Sequence, residues 1–317
     1  MTLWLSRTIT LAVVGAVAVC ASCHRPEASQ RLIVVIVPSQ DNPFFKSEAD
    51  AAAARARSLG YRVRVDAHDD DAYRQDNLID AAIASNASAI VLDNAGADSS
   101  VAAVRRATNA GIACFLIDRA INAPGIAKAQ IIADNQQGSM IVAEEFARAL
   151  GPSGADYVEL LGRESDTNAQ IRTAGFHSVL GRYPKLVRVA VQAANWSQSE
   201  AFQKTETILQ AHAGIQGIIA GNDTMALGAL AAVKSAGRKG IVIAGFDGSP
   251  DAVAAIRAGE LRATALQPAV LIARRAVEEA DLYLRTGVVG EPERQIVPCD
   301  LVTKDNADDF RDFEKVR

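Results

Sequence analysis

Polar side chains stand at the ends of several apolar segments of this 317-residue sequence. Ile117 is followed directly by Asp118 and Arg119, and Phe246 is followed by Asp247. Carboxylates accept hydrogen bonds from hydroxyl groups, guanidinium groups donate as a rigid fork, and amides do both. This chemistry suits a small molecule that carries several hydroxyl groups. The polar candidates at such positions are Asn42, Asp118, Arg119, Asn222, Asp247 and Gln267.

Each polar candidate taken alone has a simpler explanation. Asn42 before Pro43 is a good helix N-cap, and Asn222 could cap the helix that follows it. The adjacent opposite charges of Asp118 and Arg119 could form a solvated turn. The repetition of Asn, Asp, Arg or Gln after every strong apolar segment favours a shared binding role over capping alone.

Three aromatic residues could pack against the C–H faces of a sugar ring. Phe45 lies on the apolar stripe of a predicted helix that Gly60 ends, so core packing explains it. Phe44 is rotated by about 100° from that stripe, which favours an exposed patch or a ligand platform. Trp196 precedes another predicted helix, where a partly buried loop residue is the alternative.

The sequence carries no motif of a catalytic or cofactor site. Its four histidines are far apart, and it has no nucleophile elbow, phosphate-binding loop or dinucleotide fingerprint. The acidic run 69–71 lacks the spaced ligands of a calcium loop and is typical of a solvated loop. We therefore predict no catalytic residue, no cofactor and no metal site.

Short apolar segments alternate with amphipathic segments from residue 32 onward. Runs of branched residues such as 32–37 and 113–117 are typical of strands buried on both faces. Glycines such as Gly60, Gly111 and Gly237 end the helical segments. The alternation predicts an α/β fold with two parallel sheets of roughly five or six strands each. Ligands of such sheets lie beyond the carboxyl ends of the strands, where the polar candidates stand.

The first 23 residues have the features of a bacterial export signal. A positive charge precedes an apolar stretch that is shorter than the roughly 18 residues of a membrane span. The small residues before Cys23 are similar to a lipoprotein lipidation site, and a plain cleaved signal stays open. We predict a lipoprotein-type signal peptide over 1–23 with lipidation of Cys23 and a linker over 24–31. The protein is then exported to the periplasm or cell envelope, with a lipid anchor as its membrane contact.

Composition and charge exclude several classes of protein. Hydrophobic residues make up 49% and charged residues 22% of the chain, which is enough apolar material for two domains. The net charge of −4 and the lack of basic clusters argue against a nucleic-acid partner. Cys114 and Cys299, the cysteines beyond the signal, form no disulfide framework.

The candidates fall within motifs that resemble those of a known family. Over residues 31–303 the sequence resembles the ribose-binding protein branch of the bacterial periplasmic sugar-binding proteins. The motifs that carry the resemblance are Asn42-Pro43-Phe44-Phe45, Ile117-Asp118-Arg119, Ala133-Asp134-Asn135, Asn222-Asp223-Thr224-Met225-Ala226-Leu227-Gly228-Ala229 and Gly245-Phe246-Asp247-Gly248.

The resemblance implies a fold and a set of ligand contacts. The fold is that of type I periplasmic binding proteins: two Rossmann-like lobes with parallel sheets, joined by a three-segment hinge. Residues 32–134 plus 268–299 would form the N-terminal lobe, and 135–267 plus 300–317 the C-terminal lobe. Arg172 joins the candidates here, with a helix-surface arginine as the alternative. The implied hydroxyl contacts are Asn42, Asp118, Arg119, Arg172, Asn222, Asp247 and Gln267, and the implied stacking residues are Phe44, Phe45 and Trp196.

The resemblance also implies a function. The chain would be the monomeric solute-binding component of an ABC sugar importer. It would close its lobes on a small, pentose-like monosaccharide or polyol and deliver it to the transporter permease. Presentation of the closed form to a chemoreceptor or histidine kinase is the alternative.

Two other functions are weaker interpretations. Asp118 and Asp247 could form a glycosidase pair, but the likeness to binding proteins argues against an enzyme. Transcription regulators of the lactose-repressor type share the two-lobe core, but they carry a helix-turn-helix where this sequence has an export signal.

Trp196 stands where a smaller aromatic residue is expected, which narrows the pocket. Besides ribose, the sequence therefore leaves other pentoses, pentitols, tetritols or a furanose hexose open.

Overall fold

The computed structural model describes Met1 and residues 31–316. The predicted lipidation of Cys23 and nearly all of the predicted signal 1–23 therefore lie outside the described residues. The described strands form two six-stranded sheets and one two-stranded sheet. Strands and helices are numbered in chain order.

The first sheet consists of six parallel strands. Its strands alternate their side chains between two apolar layers, so that Ile33 and Val35 face one layer and Val34 and Ile36 the other. This two-sided burial explains why the sequence has continuous apolar runs here. In spatial order the strands are β11 (Arg294–Val297), β5 (Ala129–Ala133), β4 (Ala113–Ile117), β3 (Ala89–Leu92), β1 (Leu32–Val37) and β2 (Arg62–Ala67).

The second sheet repeats this plan with one difference. Its edge strand β12 runs antiparallel to β10, whereas its other neighbouring strands pair in parallel. In spatial order the strands are β12 (Asp300–Thr303), β10 (Ala263–Leu266), β9 (Val242–Ala244), β8 (Gly217–Ala220), β6 (Ala155–Leu161) and β7 (Leu186–Ala193). A 3₁₀ helix (Ala307–Asp309) and the hairpin of β13 (Phe310–Arg311) and β14 (Glu314–Lys315) follow.

Helices cover both sheets. The first sheet carries α1 (Pro43–Ser58), α2 (Ala72–Ala84), α3 (Val101–Asn109) and α9 (Ala269–Thr286). The second carries α4 (Asn135–Leu150), α5 (Thr167–Leu180), α6 (Gln198–Ala211), α7 (Asp223–Ser235) and α8 (Pro250–Ala258). The predicted α/β fold with two predominantly parallel sheets is confirmed.

Three segments of the chain pass between the sheets, after β5, after β10 and after β11. The Gln137 side chain fastens the first of these segments to the third. Its Nε2 donates to the Cys299 carbonyl at 3.0 Å, and its Oε1 accepts from the Cys299 amide at 3.0 Å. The first sheet with its helices is called the first lobe below, and the second sheet with its helices the second lobe.

Neither a membrane-spanning helix nor a metal-binding cluster occurs in the described part of the chain. None of the helices within it is both long and apolar enough to cross a bilayer. Residues 31–316 also hold no cluster of three or more histidine, cysteine or acidic side chains that could bind a metal ion.

Candidate functional site

A cavity with about 250 Å³ of empty space lies between the carboxyl ends of the two sheets. Its walls come from both lobes. The lining residues include every polar and aromatic candidate of the sequence analysis and two others, and they are Asn42, Phe44, Phe45, Asp118, Arg119, Asp166, Asn168, Arg172, Trp196, Asn222, Asp247 and Gln267.

The N-terminus of α1 supplies one wall of the cavity. Asn42 caps the helix, because its Oδ1 accepts from the Phe44 amide at 3.0 Å. Phe44 is only 3% exposed and packs edge-on against Phe45 and Phe313. Phe44 therefore does not form an exposed patch, because Phe313 from the C-terminal hairpin covers it, and its place in the cavity wall leaves the ligand platform as the prediction. Phe45 carries the Arg119 guanidinium over its ring at 4.9 Å.

Asp118 lies between the lobes. Its backbone has a φ of +55°, which turns the chain sharply at the end of β4. Its Oδ1 accepts from Gln267 Nε2 at 2.6 Å and from Asn168 Nδ2 at 3.1 Å. Burial, reinforced by the nearby Asp166, raises the pKa of Asp118 to about 6.

Arg119 is the most deeply buried cation of the first lobe, with 1% of its surface exposed. Its Nη1 donates to Asp70 Oδ1 at 2.7 Å and to the Asn94 carbonyl at 3.0 Å. Its Nε lies 2.9 Å from Asp166 Oδ2 of the second lobe. Its Nη2 is buried and has no hydrogen-bond partner among the described residues. A buried donor without a partner in the wall of a cavity is available to a ligand oxygen.

Two carboxyl groups lie behind Arg119, away from the lobe interface. Glu48 and Asp93 are completely buried, and Asp93 Oδ1 lies 3.4 Å from Arg119 Nε. Burial raises the pKa of both groups well above their usual values, and none of their four carboxyl oxygens has a hydrogen-bond partner among the described residues.

Arg172 organises the second lobe's side of the cavity. It is 4% exposed, so the alternative of a helix-surface arginine is wrong. Its Nη1 donates to Asp247 Oδ1 at 3.2 Å, and its Nη2 donates to Gln267 Oε1 at 2.8 Å. The guanidinium also lies 3.8 Å from the ring centroid of Phe246 and 5.4 Å from that of Trp196. These contacts hold the fork in one orientation.

The Trp196 indole forms another wall. Its backbone has a φ of +66°, a strained value for a bulky residue. The ring lies so close to Gly162 that a Cβ added there would meet Trp196 Cη2 and Cζ2 at 2.0 Å. Trp196 Nε1 donates to Asp166 Oδ2 at 3.1 Å. Only glycine at position 162 leaves room for the indole in this place.

Asn222 and Asp247 complete the second lobe's contribution. Asn222 caps α7, since its Oδ1 accepts from the Met225 amide at 2.9 Å. Asp247 has a φ of +119°, and burial raises the pKa of its carboxyl well above the usual range. The neighbouring Asp223 fastens the loop after Asp247 by accepting from the Ser249 amide at 2.7 Å.

Two lining residues, Asp166 and Asn168, were missed by the sequence analysis. Both follow β6, so the strand-end pattern could have found them. Asp166 also caps α5 through a hydrogen bond from the Asn168 amide at 2.8 Å, so an acidic residue at this place has an ordinary structural explanation.

The cavity combines buried hydrogen-bonding groups of both signs with flat aromatic faces. Its carboxylates accept from hydroxyl groups, its guanidinium and amide groups donate, and its rings cover apolar C–H faces. This set can hold a small polyhydroxylated molecule on all sides.

The sequence matches the periplasmic binding protein domain over residues 33–287. The chain belongs to the periplasmic binding protein family. It is 55% identical over 276 residues to the D-apiose import binding protein of Paraburkholderia graminis, covering 87% of this chain and 88% of that protein. It is 31% identical over 290 residues to the ribose import binding protein of Escherichia coli, covering 91% of this chain and 95% of that protein.

Solved structures of periplasmic binding proteins share the fold. An ABC transporter periplasmic solute binding protein from Actinobacillus succinogenes with bound D-allose has a TM-score of 0.82 at 27% identity, covering 89% of this chain and 100% of that chain. The predicted likeness to ribose-binding proteins and the type I fold are thus confirmed. The relatives are import binding proteins, which confirms that this periplasmic binding protein is not an enzyme.

Proposed function

We propose that this periplasmic binding protein is the solute-binding component of an ABC sugar importer and that its ligand is D-apiose or a close pentose. The observation that carries the proposal is the convergence of twelve polar and aromatic side chains from both lobes on one cavity of about 250 Å³. We name D-apiose because the chain is 55% identical to a D-apiose import binding protein. D-apiose is a neutral, branched pentose, and its hydroxyl groups match the hydrogen-bond donors and acceptors of the cavity.

The mechanism is closure of the two lobes around the sugar. In an open form the groups of each lobe face water, and a bound sugar bridges them and stabilises the closed form. Each hydrogen bond contributes about 0.5–1.5 kcal/mol net, and more when a charged group takes part. Roughly eight to ten such bonds, less the cost of association, give micromolar or tighter affinity.

Each wall of the cavity has a role in this mechanism. Asp118 and Asp247 accept from sugar hydroxyls, and the buried Nη2 of Arg119 donates to a sugar oxygen. Arg172 fixes Asp247 and Gln267 in place for the ligand. Phe44, Phe45 and Trp196 cover the apolar faces of the sugar. A wrong sugar leaves these buried groups without partners, which is costly.

Three further features belong to the same proposal. One lobe comprises 32–134 plus 268–299 and the other 135–267 plus 300–317, a division supported by the pairing of β1–β5 and β11 in one sheet and of β6–β10 and β12 in the other. The signal over 1–23 directs export, and lipidation of Cys23 anchors the protein at the membrane beside its permease. The protein acts as a monomer, since one chain supplies both walls of the cavity.

Isothermal calorimetry on the chain from residue 24 onward, which lacks the signal and the lipidated Cys23, tests the proposal. The panel contains D-apiose, D-ribose and D-allose, with the sugar acid D-ribonate as an anionic control. We expect D-apiose to bind with micromolar or tighter affinity and D-ribonate not to bind. Failure of all three neutral sugars to bind would refute the proposal.

Two variants test the site itself. Asp247→Ala removes an acceptor of the cavity wall and should abolish binding, while the melting temperature confirms that the variant folds. Asp156→Ala is the matched control, because Asp156 is an exposed carboxylate on β6 of the same lobe. Equal affinities of the two variants would exclude the cavity as the binding site.

A further inference from the structure

Asp166 occupies a junction between three parts of the cavity. It is 3% exposed and lies directly before α5 in the second lobe. Its Oδ1 accepts from the Asn168 amide at 2.8 Å, which is an ordinary N-cap hydrogen bond. Capping therefore accounts for one oxygen of this carboxylate and leaves the other to be explained.

The second oxygen joins an aromatic wall to a cation of the opposite lobe. Asp166 Oδ2 accepts from Trp196 Nε1 at 3.1 Å and lies 2.9 Å from Arg119 Nε. Trp196 belongs to the second lobe, as does Asp166, whereas Arg119 ends β4 of the first lobe. The contact to Trp196 is thus internal to one lobe, and the contact to Arg119 exists only when the lobes meet.

The loop 162–166 makes other contacts across the cleft. The Ala97 amide of the first lobe donates to the Ser165 carbonyl at 3.2 Å. Arg163 Nη2 lies 3.3 Å from Asp70 Oδ2, and Asp70 also accepts from Arg119. Asp166 is the most buried member of this loop's contacts, and the same loop supplies Gly162, against which the Trp196 ring rests. One loop therefore carries both closure contacts and the support of the aromatic wall.

The position of the indole depends on these supports. The Trp196 backbone is strained, with a φ of +66°, and Nε1 is the only polar atom of its side chain. That atom donates to Asp166, while Gly162 blocks movement of the ring on one side. The tilt of the ring sets how far the indole extends into a cavity of about 250 Å³.

We propose that Asp166 is a positioning residue that couples closure of the lobes to the orientation of Trp196 and thereby limits the size of the bound sugar. The inference deepens the proposed function and rests on it. When the lobes close, the Asp166 carboxylate gains the Arg119 guanidinium as a partner and is held between it and the indole. The wall formed by Trp196 then takes its final place at the moment when the sugar is enclosed.

Two substitutions separate this role from capping. Asp166→Asn has a single acceptor oxygen, so it keeps the cap while its amide NH2 group faces Trp196 Nε1 and Arg119, which removes both the hydrogen bond to the indole and the charge. Asp166→Ser keeps the cap with a side chain too short to reach either Trp196 or Arg119. Trp196→Phe, which removes the indole N–H, is the reference for a wall without this hydrogen bond.

The fluorescence of Trp196 provides a direct readout. The chain has two tryptophans, and the other is Trp4 in the predicted signal, so the chain from residue 24 onward, without Cys23, carries Trp196 alone. It contains every described helix and strand. D-apiose is titrated against each protein, dissociation is followed by stopped flow, and affinities for D-apiose and the larger D-allose are compared.

We expect both Asp166 variants to lose affinity for D-apiose by about 30-fold or more, mainly through faster dissociation. Asp166→Ser should also lose the emission shift that accompanies binding, and it should lower the preference for D-apiose over D-allose towards that of Trp196→Phe. An Asp166→Ser protein with a lower melting temperature but an unchanged emission shift and an unchanged preference would overturn the inference and leave Asp166 a simple cap. A wild-type protein that binds no sugar refutes the proposed function, and this inference with it.

Discussion

Gly162 allows a sharp test of how the aromatic wall is built. The backbone at this position is open to alanine, because its φ lies outside the left-handed region. The added Cβ, however, would lie 2.0 Å from Trp196 Cη2 and Cζ2 and 2.4 Å from Cζ3. Carbon atoms in contact normally stay about 3.5 Å apart or more, so the ring must retreat by about 1.5 Å. A Cβ at Gly221 would itself meet Cζ3 at 3.0 Å, so little space lies on that side and the ring moves into the cavity.

The cost of this overlap can be estimated. Extra carbon in a closely packed site costs about 1–3 kcal/mol. The sugar needs the ring in its wild-type place, so this free energy is subtracted from the free energy of binding. It corresponds to a loss of affinity of about 5- to 150-fold. Gly162→Ala should therefore bind D-apiose within that range more weakly than the wild-type protein, as measured by calorimetry.

Two further proteins make the test decisive. Gly221→Ala is the matched control, since its Cβ meets the same ring at 3.0 Å and the flexible end of Met225 at 3.3 Å, and it should cost much less. Trp196→Phe in the Gly162→Ala background should recover part of the affinity, because phenylalanine lacks the carbons that overlap. Wild-type affinity in Gly162→Ala alone would show that the indole does not rest on position 162, and the reasoning would fail.

Three other changes have defined outcomes. Arg172→Lys replaces a fork that donates to Asp247 and Gln267 with a single ammonium, so sugar affinity should fall about 10- to 100-fold in calorimetry, and equal affinity would contradict the assigned geometry. Burial raises the pKa of Asp223 to about 7, so its contribution to folding stability is complete below about pH 4 and is lost as the pH rises through 7, with a slope of up to about 1.4 kcal/mol per pH unit. Asp223→Asn should remove this contribution, so that the slope of the unfolding free energy against pH between 4 and 7 changes by up to about 1.4 kcal/mol per pH unit, the equivalent of one proton. Identical slopes for the variant and the wild type would contradict this prediction. Cys23→Ser should move the exported protein from the membrane fraction to the soluble fraction, and an unchanged distribution would exclude the lipid anchor.

The strand-end pattern predicted most of the site because parallel strands place their carboxyl ends along one edge. Asp118 and Gln267 each follow a buried strand directly, and Asp247 lies three residues beyond the end of β9, so their positions in the sequence translate into positions in space. Asp166 is less apparent in the sequence, because four residues separate it from the end of β6 and because it also caps α5. No local pattern reveals that its other oxygen meets a guanidinium from a different lobe.

The sequence pattern also could not predict the strained backbone of several cavity residues or the burial of Phe44 by a distant segment. Asp118, Asp247 and Trp196 all have positive φ values, although none is glycine and no local signal marks them. Tertiary contacts hold these conformations, as the hydrogen bonds from Gln267 to Asp118 and from Arg172 to Asp247 illustrate. Phe44 shows the same limit, because its cover comes from Phe313 near the end of the chain.

The distribution of charge explains why the site suits a neutral ligand. Arg172 is paired with Asp247 and Arg119 with Asp166, so neither guanidinium needs a negative charge from outside. The acceptors that remain are buried carboxylates, and burial already raises the pKa of Asp118 to about 6. A ligand carboxylate would add a further negative charge in this poorly solvated space. A hydroxyl group instead donates to these oxygens without changing the charge, and so we expect the cavity to accept a sugar and to reject the corresponding sugar acid.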